Sequence, residues 1–239
     1  MIKALVVDDE PRARAELISL LAGADDIEIL GECANAIEAI GAINRLSPAV
    51  VFLDIQMPMI SGLEMLAMLD PARMPRIVFL TAYDDYAVQA FEEHAFDYLL
   101  KPTDPARLAK TLDRLRKDAA PQAVDVLGAS ARLRHIPCTG LNSIILMRLD
   151  EIEYVASRAG GVFIVGLDGE ERFTELTLRT LEEKTPLFRC HRQHLVNTER
   201  IKEIRFVENG LAEVRTVGGR TVPVSRHYLG ALMACLGID

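Results

Sequence analysis

The front of the chain alternates short, nearly continuous apolar runs with amphipathic stretches. The runs are Leu5–Val7, Ile27–Leu30, Val50–Leu53, Ile77–Leu80 and Tyr98–Leu100. Unbroken apolar character, rather than strict alternation, marks strands buried on both faces. Between them, Ala13–Leu21, Ala36–Leu46, Leu63–Leu69 and Leu108–Leu115 repeat apolar residues at helical spacing. Glu10-Pro11 and Asp104-Pro105 put proline at a first helical position, with Asp104 as a cap. Five strand–helix units predict an α/β doubly wound, flavodoxin-like parallel sheet over residues 1–117.

The pattern fades over residues 118–131, which are small and polar and carry Pro121 and Gly128. This stretch reads as a linker. From 132 to 239 the period changes. Ser143–Met147, Ile152–Val155, Val162–Val165, Ile201–Val207, Leu211–Val217 and Thr221–Val224 are short strand-like segments. Turn pairs separate them: Thr139-Gly140, Gly160-Gly161, Asp168-Gly169, Asn209-Gly210 and Gly218-Gly219. Helices are expected at Thr177–Lys184 and Tyr228–Leu236. The second domain is therefore mostly β.

Composition changes little in this picture. The 239 residues suffice for two modest cores, and 50% hydrophobic with 26% charged is ordinary for a globular chain. No run approaches the ~18 apolar residues of a membrane span. The run Ala4–Val7 is cut off by Asp8-Asp9-Glu10, unlike a secretory signal. A cytoplasmic protein with no direct membrane binding is expected. Cys33, Cys138, Cys190 and Cys235 form no metal-type pair, and buried reduced thiols are expected. Charge is more informative. The net charge is −8, but residues 1–120 hold 12 basic and 20 acidic residues, against 15 of each in 121–239. Such asymmetry suggests two domains with different partners.

The acidic excess has a focus. Ligands of open α/β sheets bind beyond the carboxyl ends of the strands. Asp8 and Asp9 follow the first predicted strand and Asp54 ends the third. In a flavodoxin-like order those strands are neighbours, so three carboxylates converge. Unpaired, they would repel and raise each other's pKa. A hard divalent cation such as Mg²⁺ resolves the repulsion with oxygen ligands. Thr81 ends the fourth strand and Lys101 the fifth. A hydroxyl, an ammonium and a metal around one carboxylate suit phosphoryl transfer, with Asp54 as nucleophile. Taken alone, Asp8-Asp9-Glu10 is equally a helix N-terminal acid cluster. Five polar groups at the same end of four strands favour the site.

Val6-Val7-Asp8-Asp9-Glu10-Pro11, Val51–Pro58, Leu80-Thr81-Ala82 and Tyr98-Leu99-Leu100-Lys101-Pro102 resemble the receiver domain of two-component response regulators. The resemblance implies that Asp8 and Asp9 hold Mg²⁺, together with Asp54 and the Gln56 backbone carbonyl. It implies that Asp54 accepts phosphate from a histidine kinase and that Lys101 contacts the phosphate. Thr81 and Tyr98 form its switch pair, and the Lys101–Pro102 bond is cis. The family expectation for Asp85–Phe91, in the fourth helix region, is a dimerisation face, so a homodimer forms on activation. Apart from self-phosphorylation and dephosphorylation, no enzyme activity is implied.

The back half concentrates its basic groups. From Pro186 to Asp239 there are eight basic against five acidic residues, plus three histidines. Arg189-Cys190-His191-Arg192-Gln193-His194 is the densest run. Ser225-Arg226-His227 and Ser157-Arg158-Ala159-Gly160-Gly161 are further candidates. Arg, Gln and polar backbone on loops suit phosphate and base-edge contacts. On composition alone, DNA binding, a protein-interaction surface and a solvated basic face all stay open. His191-x-x-His194 as a metal pair lacks a nearby third ligand.

Leu187–Asn197, with Phe173–Leu178 and Thr221–Arg226, is similar to the LytTR DNA-binding family. That family reads DNA through loops between β-strands. The resemblance implies base contacts at Arg192 and Arg226, with His191 and Gln193 beside the first. A third contact falls at Arg158–Gly161, where this sequence has glycine and Arg158 is the available side chain. Together the two resemblances imply a LytTR-family two-component response regulator. It would bind tandem or repeated DNA half-sites and answer a LytS-type membrane histidine kinase. Relatives sharing Phe91–Tyr98 and Ile136–Gly140 are associated with pyruvate sensing and a transporter gene.

Overall fold

The apolar runs of the front half become five parallel strands in the computed structural model, which describes residues 1–82, 95–117, 132–141, 143–207 and 211–238. The chain divides into two units, Met1–Ser130 and Ala131–Asp239. In the first, the strands are β1 (Ile2–Val7), β2 (Ile27–Cys33), β3 (Val50–Asp54), β4 (Arg76–Thr81) and β5 (Asp97–Leu100). Their order is β2-β1-β3-β4-β5, the flavodoxin-like arrangement. Every pairing is parallel. Helices α1 (Pro11–Leu21), α2 (Ala36–Leu46) and α3 (Gly62–Ala67) lie between successive strands, and α4 (Pro105–Lys117) follows β5.

The core explains the unbroken apolar runs. Val6, Phe52, Val78 and Leu80 pack against Leu17 and Leu21 of α1 and Leu108, Leu112 and Leu115 of α4. Ile37, Ile40 and Ile43 of α2 are also buried. Helix starts follow the capping chemistry. The Asn35 side chain accepts from the Glu38 amide at 3.0 Å. Ser61 and Glu64 form a reciprocal capping box at α3. The Asp104 carboxylate accepts from the Ala106 amide at 3.1 Å, as its place before Pro105 predicts. The Asp85–Phe91 segment, the 118–131 linker and the Asn209-Gly210 turn lie outside the described residues.

The second unit is antiparallel throughout. Its strands are β6 (His135–Thr139), β7 (Ile144–Arg148), β8 (Ile152–Arg158), β9 (Gly161–Gly166) and β10 (Glu171–Thr174). After helix α5 (Leu178–Lys184) come β11 (Phe188–His191), β12 (His194–Val196), β13 (Ile201–Val207), β14 (Leu211–Thr216) and β15 (Thr221–Val224). Helix α6 (Arg226–Cys235) follows. The sheets are β10-β9-β8-β12-β11, β13-β14-β15 and the β6-β7 pair. Cys190, Val196, Val214, Val222, Val224 and Leu232 share one core.

Glu153 on β8 is fully buried and joins two of these sheets. It accepts from Thr216 Oγ1 at 3.0 Å, from the Gly218 amide and from the Arg220 guanidinium. A buried carboxylate persists only when its oxygens are paired in this way.

Four strands, β6, β10, β11 and β12, escape the hydrophobic pattern. Pro137 interrupts β6, which pairs only with β7 among the described strands. Strands β11 and β12 carry arginine and histidine between their apolar positions. Cys33, Cys138 and Cys190 are buried thiols as expected, but Cys235 is exposed, because it ends a helix with only Leu232 fully inside. Burial pushes the Cys33, Cys138 and Cys190 thiols up to about 12, so they are inert at neutral pH. Among the described residues, no helix is long and apolar enough to cross a membrane.

Candidate functional site

Strands β1 and β3 pair in register through Val7 and Leu53, so Asp8 and Asp54 leave the sheet side by side. Asp8 and Asp54 are buried and Asp9 is more open. One carboxylate oxygen of each lies within 4.8 Å of the others. Lys101, after β5, reaches across the strand ends. Its Nζ lies 2.7 Å from Asp54 Oδ2 and 2.6 Å from Asp8 Oδ2. The second approach leaves Asp8 Oδ2 buried against the ammonium. The other oxygens are satisfied locally. Asp8 Oδ1 accepts from the Glu10 amide at 2.9 Å, and Asp54 Oδ1 from the Gln56 amide at 3.2 Å.

Electrostatics mark this cluster. Burial raises the Asp54 pKa, and the Lys101 ammonium only partly offsets it. For Lys101, burial works against its charge, but Asp54 and Asp8 outweigh that and raise its pKa. Thr81 is buried at the end of β4, and its carbonyl accepts from the Lys101 amide at 2.8 Å. The Lys101–Pro102 peptide is cis. Tyr98 is partly exposed, with the Arg107 guanidinium 5.3 Å from its ring centre. Arg107 also pairs with the buried Asp97 carboxylate.

Two neighbours were not visible in the sequence. Arg14 donates to the Asp8 carbonyl at 2.7 Å. Gly62 runs so close to β3 that a Cβ there would overlap the Asp54 carbonyl oxygen. The Ser61-x-x-Glu64 capping signal could have flagged a helix start there, but not the close approach.

In the second unit, the candidate DNA residues meet at one end of the five-stranded sheet. The turn between β11 and β12 exposes Arg192 and Gln193. The antiparallel pairing of β8 and β12 brings the far end of β8, with Arg158, beside that turn. The Ser157 amide donates to the Gln193 carbonyl at 2.8 Å. The Ser225 amide donates to the Cys190 carbonyl at 3.0 Å, setting Arg226 at the start of α6 next to β11.

Two of these arginines are engaged within the fold. Arg189, counted with the basic run in the sequence, turns inward. Its Nε donates to the His191 carbonyl at 2.9 Å and a terminal nitrogen to the Arg192 carbonyl at 2.6 Å. A third donor meets Glu182 at 2.9 Å. Arg189 therefore holds the turn rather than extending from it. Arg158 is engaged as well, by a two-point pair with Glu171 at 2.7 and 2.8 Å. Exposed pairs of this kind contribute little and exchange readily. Gly161 has φ +122°, and a Cβ there would meet the Phe173 ring. Glycine is thus dictated by packing at this loop.

The histidines of the turn touch each other. His194 Nδ1 lies 3.3 Å from His191 Nδ1. Burial, then His191 and Arg158, push the His194 pKa down to about 4. Burial, then Arg192 and Arg189, lower that of His191. Both shifts favour the neutral imidazole. Asp8, Asp9 and Asp54 form the one group of three or more metal-type ligands found among the described residues.

Comparison with known proteins matches both halves. The response regulator receiver domain family matches residues 4–113, and the LytTr DNA-binding domain family residues 142–237. The chain is 59% identical to transcriptional regulatory protein BtsR of Salmonella typhimurium, over 100% of both chains. It is 57% identical to transcriptional regulatory protein BtsR of Escherichia coli K12, again over 100% of both. An uncharacterized response regulatory protein of Vibrio cholerae is 53% identical over 99% of each chain.

Proposed function

The chain belongs to the two-component response regulators that join a receiver domain to a LytTR DNA-binding domain, and from that premise we propose how its residues divide the work. It is a regulator of transcription, not a member of an enzyme family. The receiver spans 1–117, the linker 118–131 and the DNA-binding domain 132–239. The observation that carries the reading is the Lys101 ammonium set between two buried carboxylates, Asp8 and Asp54.

Asp54 is the phosphoacceptor. Its carboxylate oxygen attacks the phosphorus of a kinase phosphohistidine, the P–N bond breaks and an acyl phosphate forms. Lys101 then pairs with the added oxygens, and Thr81 donates its hydroxyl to one of them. The inward draw on Thr81 opens space for the Tyr98 ring, a shift of population rather than of fold. Three carboxylates whose oxygens lie within 4.8 Å of one another, two of the residues buried, fit a hard cation. Asp8, Asp9, Asp54 and the Gln56 carbonyl would hold Mg²⁺. When bound, it neutralises carboxylate and phosphoryl charge.

In the second domain Arg192 and Arg226 read bases, flanked by His191, Gln193 and Arg158. A LytS/BtsS-type membrane histidine kinase is the phosphodonor, and both partners meet in the cytoplasm. Arg192→Ala is expected to cost about 1–3 kcal/mol of specific binding and relax preference at one base pair. Quantitative footprinting checks it, and an unchanged footprint removes the base-contact role.

Phosphorylation acts through dimerisation, which turns the second half-site into an intramolecular target. The test compares single and tandem half-sites from a pyruvate-responsive transporter promoter. Phosphorylated protein is expected to gain on the order of 100-fold on the tandem site and far less on the single one. A monomeric phosphoprotein with full tandem affinity overturns this.

A further inference from the structure

We propose that His194 is a positioning residue for DNA recognition, fixing His191 as the tautomer that presents an Nε2–H donor at the β11–β12 turn. The inference rests on the reading of that turn as the DNA-contacting edge.

The argument is one of hydrogen-bond logic. The Gln193 amide points at His191 Nδ1 from 3.2 Å. A backbone amide can only donate, so His191 Nδ1 offers its lone pair. His194 Nδ1 stands 3.3 Å from the same atom. Two bare lone pairs at that separation would repel. The contact is attractive when His194 carries its proton on Nδ1. Burial first, and then Arg192 and Arg189 beside His191, and His191 and Arg158 beside His194, favour the uncharged rings. A neutral imidazole has one N–H. With Nδ1 accepting, the His191 proton sits on Nε2.

The fold holds the two rings in this arrangement. His191 and His194 face each other where β11 and β12 pair, with ring centres 5.3 Å apart. The His194 ring is backed by Tyr154 on β8, at 6.5 Å between centres. The His194 carbonyl accepts from the Cys190 thiol at 3.6 Å, which ties the backbone of the pair. Among the described residues, no hydrogen bond within the chain uses His191 Nε2. The ring is partly exposed beside the exposed Arg192. A fixed, uncharged donor next to an arginine suits an acceptor atom on DNA, either a base edge or a phosphate oxygen.

The residue types at 191 and 194 therefore have different chemical substitutes. Asparagine at 194 can place an amide N–H where Nδ1–H was. Glutamine there places it near Nε2 instead. At 191 the order reverses, because the donor that matters is on Nε2.

Long-range proton–nitrogen NMR of the intact, DNA-free protein reads the tautomers directly. The expected signature is Nε2–H for His191 and Nδ1–H for His194. In DNA binding, His194→Phe and His194→Gln are expected to lose about 3- to 10-fold, the size of one hydrogen bond, and His194→Asn to recover most of it. His191→Gln should bind more tightly than His191→Asn. A loss confined to the cognate site marks a base-edge acceptor, and an equal loss on unrelated DNA marks a phosphate. An Nδ1–H spectrum for His191, or equal losses for Asn and Gln at 194, overturns the positioning role. If His191→Ala binds normally while the spectra are as expected, the DNA reading of this turn fails, and the role for His194 with it.

Discussion

Asp54→Asn is expected to abolish acid-labile phosphorylation of the intact chain by a phosphohistidine or small phosphate donor. The carboxylate is the group at the site placed to attack phosphorus, and an amide oxygen is too weak a nucleophile to replace it. The substitution keeps the shape of the side chain. The new amide can still accept from the Gln56 backbone N–H through its carbonyl oxygen, as Asp54 does at 3.2 Å. Loss of labelling would then report chemistry rather than unfolding. The Lys101 ammonium would keep its second carboxylate, Asp8, at 2.6 Å. Radiolabel from a phosphorylated kinase, followed by acid and base treatment, measures the outcome. Normal labelling of the variant would falsify the assignment of Asp54 and the mechanism built on it. Retained labelling with altered acid stability would point to another acceptor residue.

The receiver half of this account was legible because burial and chemistry leave separate traces there. Strands covered on both faces must be apolar along their length, so Val50–Leu53 and Ile77–Leu80 announce themselves. Ala36–Leu46 has the bounds that its apolar spacing predicts, and the structure adds the Asn35 cap at its start. Carboxylates at strand ends then follow from strand order alone. The DNA-binding half hid more. Strands β11 and β12 were read as a basic motif because arginine and histidine stand beside their few apolar positions. The inward turn of Arg189 had no sequence signal: its three partners, Glu182 and the carbonyls of His191 and Arg192, come together only in the fold. The Glu171 partner of Arg158 is 13 residues away, beyond any local pattern. Long-range pairing of charges is what a periodicity argument cannot reach.

The same limit applies to Glu153, which looks like an ordinary strand residue and is expected to be among the most sensitive positions in the second domain. It is fully buried, while the Arg220 side chain it pairs with is 27% exposed. That difference makes the two partners unequal. In Glu153→Ala, Arg220 loses its carboxylate but can turn toward water. The Thr216 hydroxyl and the Gly218 amide lose an acceptor as well. A cost of about 3 kcal/mol follows, the lower end for breaking a buried ion pair. In Arg220→Ala, the carboxylate stays buried without a counter-charge and has no route to solvent. The cost rises to about 5 kcal/mol, the upper end of the same range. Removing both partners takes away the stranded charge, so the double variant is expected to be more stable than Arg220→Ala alone. Urea unfolding of the intact chain, followed by signals from each domain, checks the order. The receiver transition should stay in place while that of residues 132–239 moves. Losses below about 1 kcal/mol for both single variants would mean that Glu153 is solvated in solution and that the two sheets are joined by apolar packing alone.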